Sequence, residues 1–155
     1  MQNQDFTSTI LVDLPPKEVF NAINNVSEWW TGEPGIEGNT NNVGDEFTYR
    51  YTDIHYSKQK IKELIPGKKI VWLVTDSHLN FTQVKDEWTG TEISFQITGP
   101  DTNAGNNQTA VRFTHVGLVP DVECYQDCSK AWSSYINNSL KKFIANQKVQ
   151  TSKKA

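Results

Sequence analysis

Up to His115 the apolar side chains of this chain mostly alternate with polar ones, and beyond Pro120 they return every third or fourth position. Period two is the signature of strands and period 3.6 that of a helix. The switch comes late, so a strand-rich chain has one long element at its end with which to cover an apolar sheet face. Val, Ile and Thr number 38 against 13 for Ala and Leu, a bias that favours strands.

Phe6, Ser8, Ile10 and Val12 share one face of a first strand. Pro15 and Pro16 open a short helix, where a fixed φ and a missing N–H do no harm, with Val19, Phe20 and Ile23 at helical spacing and an end at Asn24 and Asn25. Residues 26–30 read as another helical turn. Gly32, Pro34, Gly35, Gly38 and the Asn-rich stretch 39–42 read as a loop, with any second strand there short. Phe47, Tyr49 and Tyr51 then alternate. Residues 56–64 are more polar, and their facing is ambiguous because Ile61 is followed by adjacent Leu64 and Ile65. Pro66-Gly67 makes a turn, 69–75 is nearly continuously apolar, and 81–84 is a short strand or a loop. Thr91, Ile93, Phe95 and Ile97 form one alternating set and Val111, Phe113 and His115 another, joined by a loop over 99–107 into a hairpin with one wet face. Tyr125, Cys128, Trp132, Tyr135, Ile136, Leu140, Phe143 and Ile144 mark the terminal helix, with Asp121 as its expected N-cap.

The expectation is an α+β fold. A curved antiparallel sheet of about six to seven strands wraps around the long C-terminal helix, with two short helices after the first strand. At 155 residues the chain is one domain, expected over 1–145, with a polar tail over 146–155 that frays.

Several function classes drop out. The longest apolar run is five residues, 70–74, against the roughly 20 of a membrane helix. The first five residues have neither the basic nor the apolar part of a secretory signal, so a cytoplasmic location and reduced thiols are expected. The Asn-x-Ser/Thr triplets at Asn25, Asn80, Asn107 and Asn137 are then chance products of 14 asparagines. A net charge of −3 with scattered lysines gives no footprint for nucleic acid. No Gly-rich phosphate loop, Gly-x-Ser-x-Gly elbow or His-Glu-x-x-His is present, and no cofactor is expected.

The order of elements, together with particular residues, resembles the START-like (SRPBCC) helix-grip superfamily, and within it the family named for the activator of the heat-shock protein 90 ATPase. The residues are Pro15-Pro16-Lys17-Glu18-Val19-Phe20, the Trp29-Trp30 pair, Gly44-Asp45-Glu46-Phe47, the run from Glu63-Leu64-Ile65-Pro66-Gly67 through Lys68-Lys69-Ile70-Val71-Trp72, Glu87-Trp88-Thr89-Gly90-Thr91-Glu92-Ile93, and the segment 132–140. The resemblance spans residues 6–143. It implies a hydrophobic cavity between sheet and long helix, with Trp30 over its mouth, in a superfamily of lipid carriers, hormone receptors, polyketide cyclases and co-chaperone domains. Fold alone does not choose among these.

The inward phase is aromatic: Phe47, Tyr49, Tyr51, Trp72, Phe95, Phe113, Trp132 and Tyr135. With Trp30 and His115 these are the candidate ligand-binding residues. Such rings either pack as an ordinary core or line a pocket, and the pocket reading requires a void of roughly 300 Å3 or more. The tyrosines favour a pocket, since buried hydroxyls need partners that a polar ligand or water could supply. His115 shares the phase of Val111 and Phe113. It is either satisfied at the core edge or a general acid/base, the one catalytic candidate. His55 and His78 fall at loop-like positions and look exposed. Cys124 and Cys128 share one helix face, as packed thiols by default; a structural zinc needs four ligands, and no second pair has suitable spacing, so no metal is expected.

Two readings follow: a binder of a small apolar or aromatic molecule, lipids included, or a cyclase-like enzyme using His115 with a tyrosine orienting a carbonyl. A chaperone-interaction module is a third. The known co-chaperone adds an N-terminal domain, whereas this chain begins at the grip fold, which counts against a chaperone partner. Oligomeric state is open, a homodimer included.

Overall fold

The structure is a computed structural model that describes residues 4–99 and 108–154. Seven antiparallel strands form one open sheet in the order β1-β7-β6-β5-β4-β3-β2, where β1 is Phe6–Val12, β2 Pro34–Gly38, β3 Glu46–Tyr51, β4 His55–Ile65, β5 Lys69–Leu79, β6 Glu92–Thr98 and β7 Thr109–Val116. Helix α1, Pro16–Asn24, and a 3-10 turn at Val26–Glu28 follow β1. The chain ends in α2, Tyr125–Ser134, a π-helical stretch at Tyr135–Leu140, and α3, Lys141–Lys154. This is the expected α+β helix-grip arrangement. The 99–107 loop, beyond Gly99, and the Asn107 triplet lie outside the described residues.

Four local expectations are decided or changed. The Gly/Asn-rich stretch contains β2, an edge strand paired only with β3. Of the two alternatives for residues 81–84 the loop holds: β5 runs on to Leu79 and a turn-rich segment leads to β6. The ambiguous facing of β4 has a cause: its register against β5 shifts between Ile61 and Glu63, leaving Lys62 unpaired. Such a bulge re-phases the strand, so that buried Ile61 and partly buried Leu64 both join the core despite their odd spacing. The inward side before the bulge is His55, Ser57, Gln59 and Ile61, unusually polar for a covered face.

The last change concerns the helix start. Asp121 lies in a turn, and α2 begins only at Tyr125. The N–H groups just before it are met by Glu87 of the β5–β6 segment, whose carboxylate accepts from Glu123 N at 2.8 Å and Cys124 N at 3.1 Å. A carboxylate at a helix N-terminus is favourable by both hydrogen bonding and dipole.

Cys124, Cys128, Trp132, Ile136, Leu140 and Ile144 are all buried and sit four residues apart. In a regular α-helix four residues overshoot a turn by about 40°, so a strict four-residue stripe would wind off the sheet. The wider π turn at Tyr135–Leu140 takes up that drift and keeps the stripe facing inward. The helical backbone then continues to Lys154, past the point where the sequence suggests a frayed tail.

Candidate functional site

Between the sheet and α2 the rings fall into two groups. In the first, Trp72 of β5 packs edge-on against Phe47 at 4.9 Å and Phe95 at 5.0 Å, and Phe95 against Phe113 at 5.2 Å. Trp29 stacks on Trp72 and fixes its indole by donating to Ile23 O. All are buried, and none lines a cavity between sheet and helix. This end is packed core. Two polar atoms in it, Trp72 Nε1 and Gln59 Oε1, have no hydrogen-bond partner.

The second group borders a half-open pocket of about 190 Å3, lined by Trp30, Tyr49, Tyr51, His55, Phe81, Trp88, Asp127, Cys128, Ala131, Trp132 and Tyr135. The volume is below the roughly 300 Å3 of a drug-sized site that the sequence reading asks for. Three larger hollows of about 430, 390 and 250 Å3 lie elsewhere: among the polar side chains between α1 and β2, between β1 and α3, and between α1 and α3. Phe143, in the smallest of them, is their one aromatic lining residue.

Of the ten residues expected to face a ligand, the structure brings Trp30, Tyr49, Tyr51, Trp132 and Tyr135 together at this mouth. Phe47, Trp72, Phe95 and Phe113 stand in the closed core, and His115 lies behind the mouth. Tyr51, at the end of β3, is 43% exposed.

Trp30 stacks on Tyr49 with ring centres 4.2 Å apart and planes within 6°, and tilts against Trp132 at 4.9 Å. The segment after Trp30 is pinned by both tyrosine hydroxyls, each within reach of Thr31 O, at 2.9 Å for Tyr49 and 2.8 Å for Tyr135, and 2.8 Å from each other. Two hydroxyl protons serve three contacts, so one tyrosine donates to the carbonyl and the other to its neighbour's oxygen or the same carbonyl. The partners come from the fold rather than from a ligand. Burial, and then the bond with Tyr135, push the Tyr49 phenol well above its usual range. Gly32 permits this approach, because a Cβ there would lie 2.6 Å from Arg50 O and 2.9 Å from the Tyr49 ring.

The two inward histidines differ. His115 is fully buried; its Nδ1 accepts the Trp132 indole N–H at 3.0 Å, so Nε2 bears the proton and faces Thr91 Oγ1 at 2.8 Å, while that hydroxyl donates to Trp88 O. Burial, and secondarily His55, push its pKa down to about 3. Neither nitrogen is free for a substrate, which removes the geometry that acid/base use requires. His55 is the correction to the sequence reading. It opens β4 rather than sitting in a loop, with its ring 4.5 Å from Trp88 and 5.3 Å from Tyr49. Burial pushes its pKa down to about 4, and its buried Nε2 has no hydrogen-bond partner. His78 is exposed, but on β5.

Cys124 and Cys128 are free and buried. The bond from the Cys128 thiol pulls Cys124 down, while Cys128 is pushed up by that same bond and by burial. The Trp88 indole N–H turns toward these sulfurs without reaching bonding geometry. Among the described residues no group of three or more His, Cys, Asp or Glu could hold a metal, and no helix is long and apolar enough to cross a membrane.

Sequence reasoning missed His55, Phe81, Trp88, Asp127, Cys128 and Ala131 as pocket residues. A usable signal existed for part of them: Asp127, Ala131 and Tyr135 repeat at four, as do Cys128 and Trp132, so one helix face carries all five.

No protein-family model and no curated protein matches the sequence. Solved structures do. The solution structure of the Aha1 dimer from Colwellia psychrerythraea is 27% identical, covers 91% of this chain and 96% of that one, and superposes with a TM-score of 0.69. The crystal structure of MLL2253 from Mesorhizobium loti, 15% identical over 92% and 98% of the two chains, gives 0.70. DynU16, encoded in the dynemicin biosynthetic locus, gives 0.63 at 11% identity, with this chain spanning 48% of its length. The last two share the fold alone. By its open seven-stranded sheet, its long terminal helix and these neighbours, the chain has the START-like helix-grip fold and is similar to Aha1 over most of its length.

Proposed function

We propose that this protein binds a small apolar or aromatic molecule in the mouth pocket between the sheet and α2. The observation that carries this is the conjunction of an aromatic lining with His55 Nε2, a buried polar atom lacking a partner. A buried polar group without a hydrogen bond is costly and rare, and a ligand hydroxyl, carbonyl or amine would satisfy it. At about 190 Å3 the pocket suits a fragment-sized molecule or one end of a longer one, such as a lipid. The second reading, a cyclase-like enzyme with His115 as acid/base, lacks a free nitrogen to act with.

Benzyl alcohol serves as a neutral probe. Trp30, Trp88 and Trp132 border the pocket, so saturable quenching of tryptophan fluorescence that is lost in Trp88→Ala, with that variant's near-UV circular dichroism otherwise retained, is expected. A linear, non-saturable response identical in both proteins would count against the site. The likeness to a protein solved as a dimer supports a homodimer; sedimentation equilibrium giving one-chain mass at all concentrations would remove that proposal.

A further inference from the structure

The chemistry of the pocket wall constrains the ligand beyond its size. Seven of the residues around the pocket are aromatic, counting Trp30, Tyr49, Tyr51, Phe81, Trp88, Trp132 and Tyr135. The one formally charged side chain among its lining residues is Asp127. Among the described residues no Lys or Arg stands within ion-pair distance of that carboxylate. Lys85, on the neighbouring β5–β6 segment, is held on Asn80 O. The tyrosine hydroxyl protons are spent on Thr31 O and on each other, so those oxygens offer lone pairs rather than donors.

An anionic ligand would therefore meet an uncompensated carboxylate and no free hydroxyl proton. A cation would meet the reverse: π faces that attract it and a counter-ion. We propose, building on the binding reading above, that the pocket selects a small organic cation, an aryl- or alkylammonium with at least one N–H, whose apolar body packs against the rings. Asp127 stands as its counter-ion at the mouth and His55 Nε2 accepts from its N–H. Burial keeps the His55 imidazole uncharged at neutral pH, so it does not repel the cation.

Isothermal titration calorimetry at neutral pH with benzylammonium, benzyltrimethylammonium, benzyl alcohol and phenylacetate separates the two levels of the claim. Benzylammonium is expected to bind about tenfold tighter than benzyl alcohol, phenylacetate weakest, and benzyltrimethylammonium more weakly than benzylammonium for want of an N–H. Asp127→Asn should bring benzylammonium down to the affinity of benzyl alcohol and leave benzyl alcohol unchanged. Glu37→Gln, an equal charge change on β2, should leave the preference intact. Saturable binding of benzyl alcohol with no preference for the ammonium, tightest binding by phenylacetate, or equal losses in Asp127→Asn and Glu37→Gln would overturn cation selection while the binding site stood. Equal affinity for the two ammonium probes would overturn the role of His55. No saturable binding by any probe would overturn the site itself, and the cation inference with it.

Discussion

The closed end and the mouth of the sheet–helix groove are built from the same residue types and end differently. At the closed end, Phe47, Trp72, Phe95 and Phe113 come from four strands and interlock edge to face, filling the space their own bulk creates. At the mouth, Trp30 and Tyr49 stack flat, and Trp132 and Trp88 lie nearly parallel at 5.8 Å. The histidines repeat the contrast, since His115 spends both nitrogens on Trp132 and Thr91, whereas His55 Nε2 is unpartnered. Aromatic content alone does not make a pocket; the depth of the rings in the groove separates the two ends.

Breaking the closed end should have the largest effect on stability. Phe113→Ala removes a fully buried ring in contact with Phe95 and Trp132 and is expected to cost about 3–5 kcal/mol, read as a shift in the urea midpoint. If the same change cost under about 1 kcal/mol, the distinction between a packed and an open end would fail.

Acid sharpens the comparison of the histidines. Both pKa values are depressed in the fold, so between the ordinary value of about 6.5 and the folded values of about 4 and about 3 the unfolded chain binds more protons than the native one. Stability therefore rises with pH across that window and falls on acidification, by about 2 kcal/mol per histidine between pH 7 and pH 5. Urea unfolding of wild type and His55→Gln at both pH values should show the variant losing about half as much; identical losses would mean His55 does not titrate as its burial requires.

Thr91→Val deletes the hydroxyl that faces His115 Nε2 and should cost about 1–3 kcal/mol by leaving a buried N–H unsatisfied. Tyr135→Phe removes one of two hydroxyls at Thr31 O and should cost only about 1 kcal/mol, with Tyr49 retaining the carbonyl. A cost larger than that of Thr91→Val would reverse the ranking of the two networks.

Much of the fold is legible in the sequence because alternation and helical spacing report burial directly. Strand β1 and the β6–β7 hairpin keep strict alternation. The mouth is harder to read, for physical reasons. A bulge at Lys62 breaks the phase of β4, so that its run of His55, Ser57 and Gln59 gives no clear side. The carboxylate at the helix start comes from Glu87, 37 residues before Cys124, which no local pattern announces. Half of the expected ligand residues share a phase with the pocket wall yet lie deeper in the groove, and periodicity gives a face without giving a depth.

The claim that the mouth, and not the closed end, receives a ligand is tested most directly by the five tryptophan indole N–H signals in 15N-resolved NMR during titration with benzyl alcohol. The account predicts saturable shifts for Trp30, Trp88 and Trp132 and little change for Trp29 and Trp72. Shifts largest at Trp29 and Trp72, or none at any of the five, would contradict it.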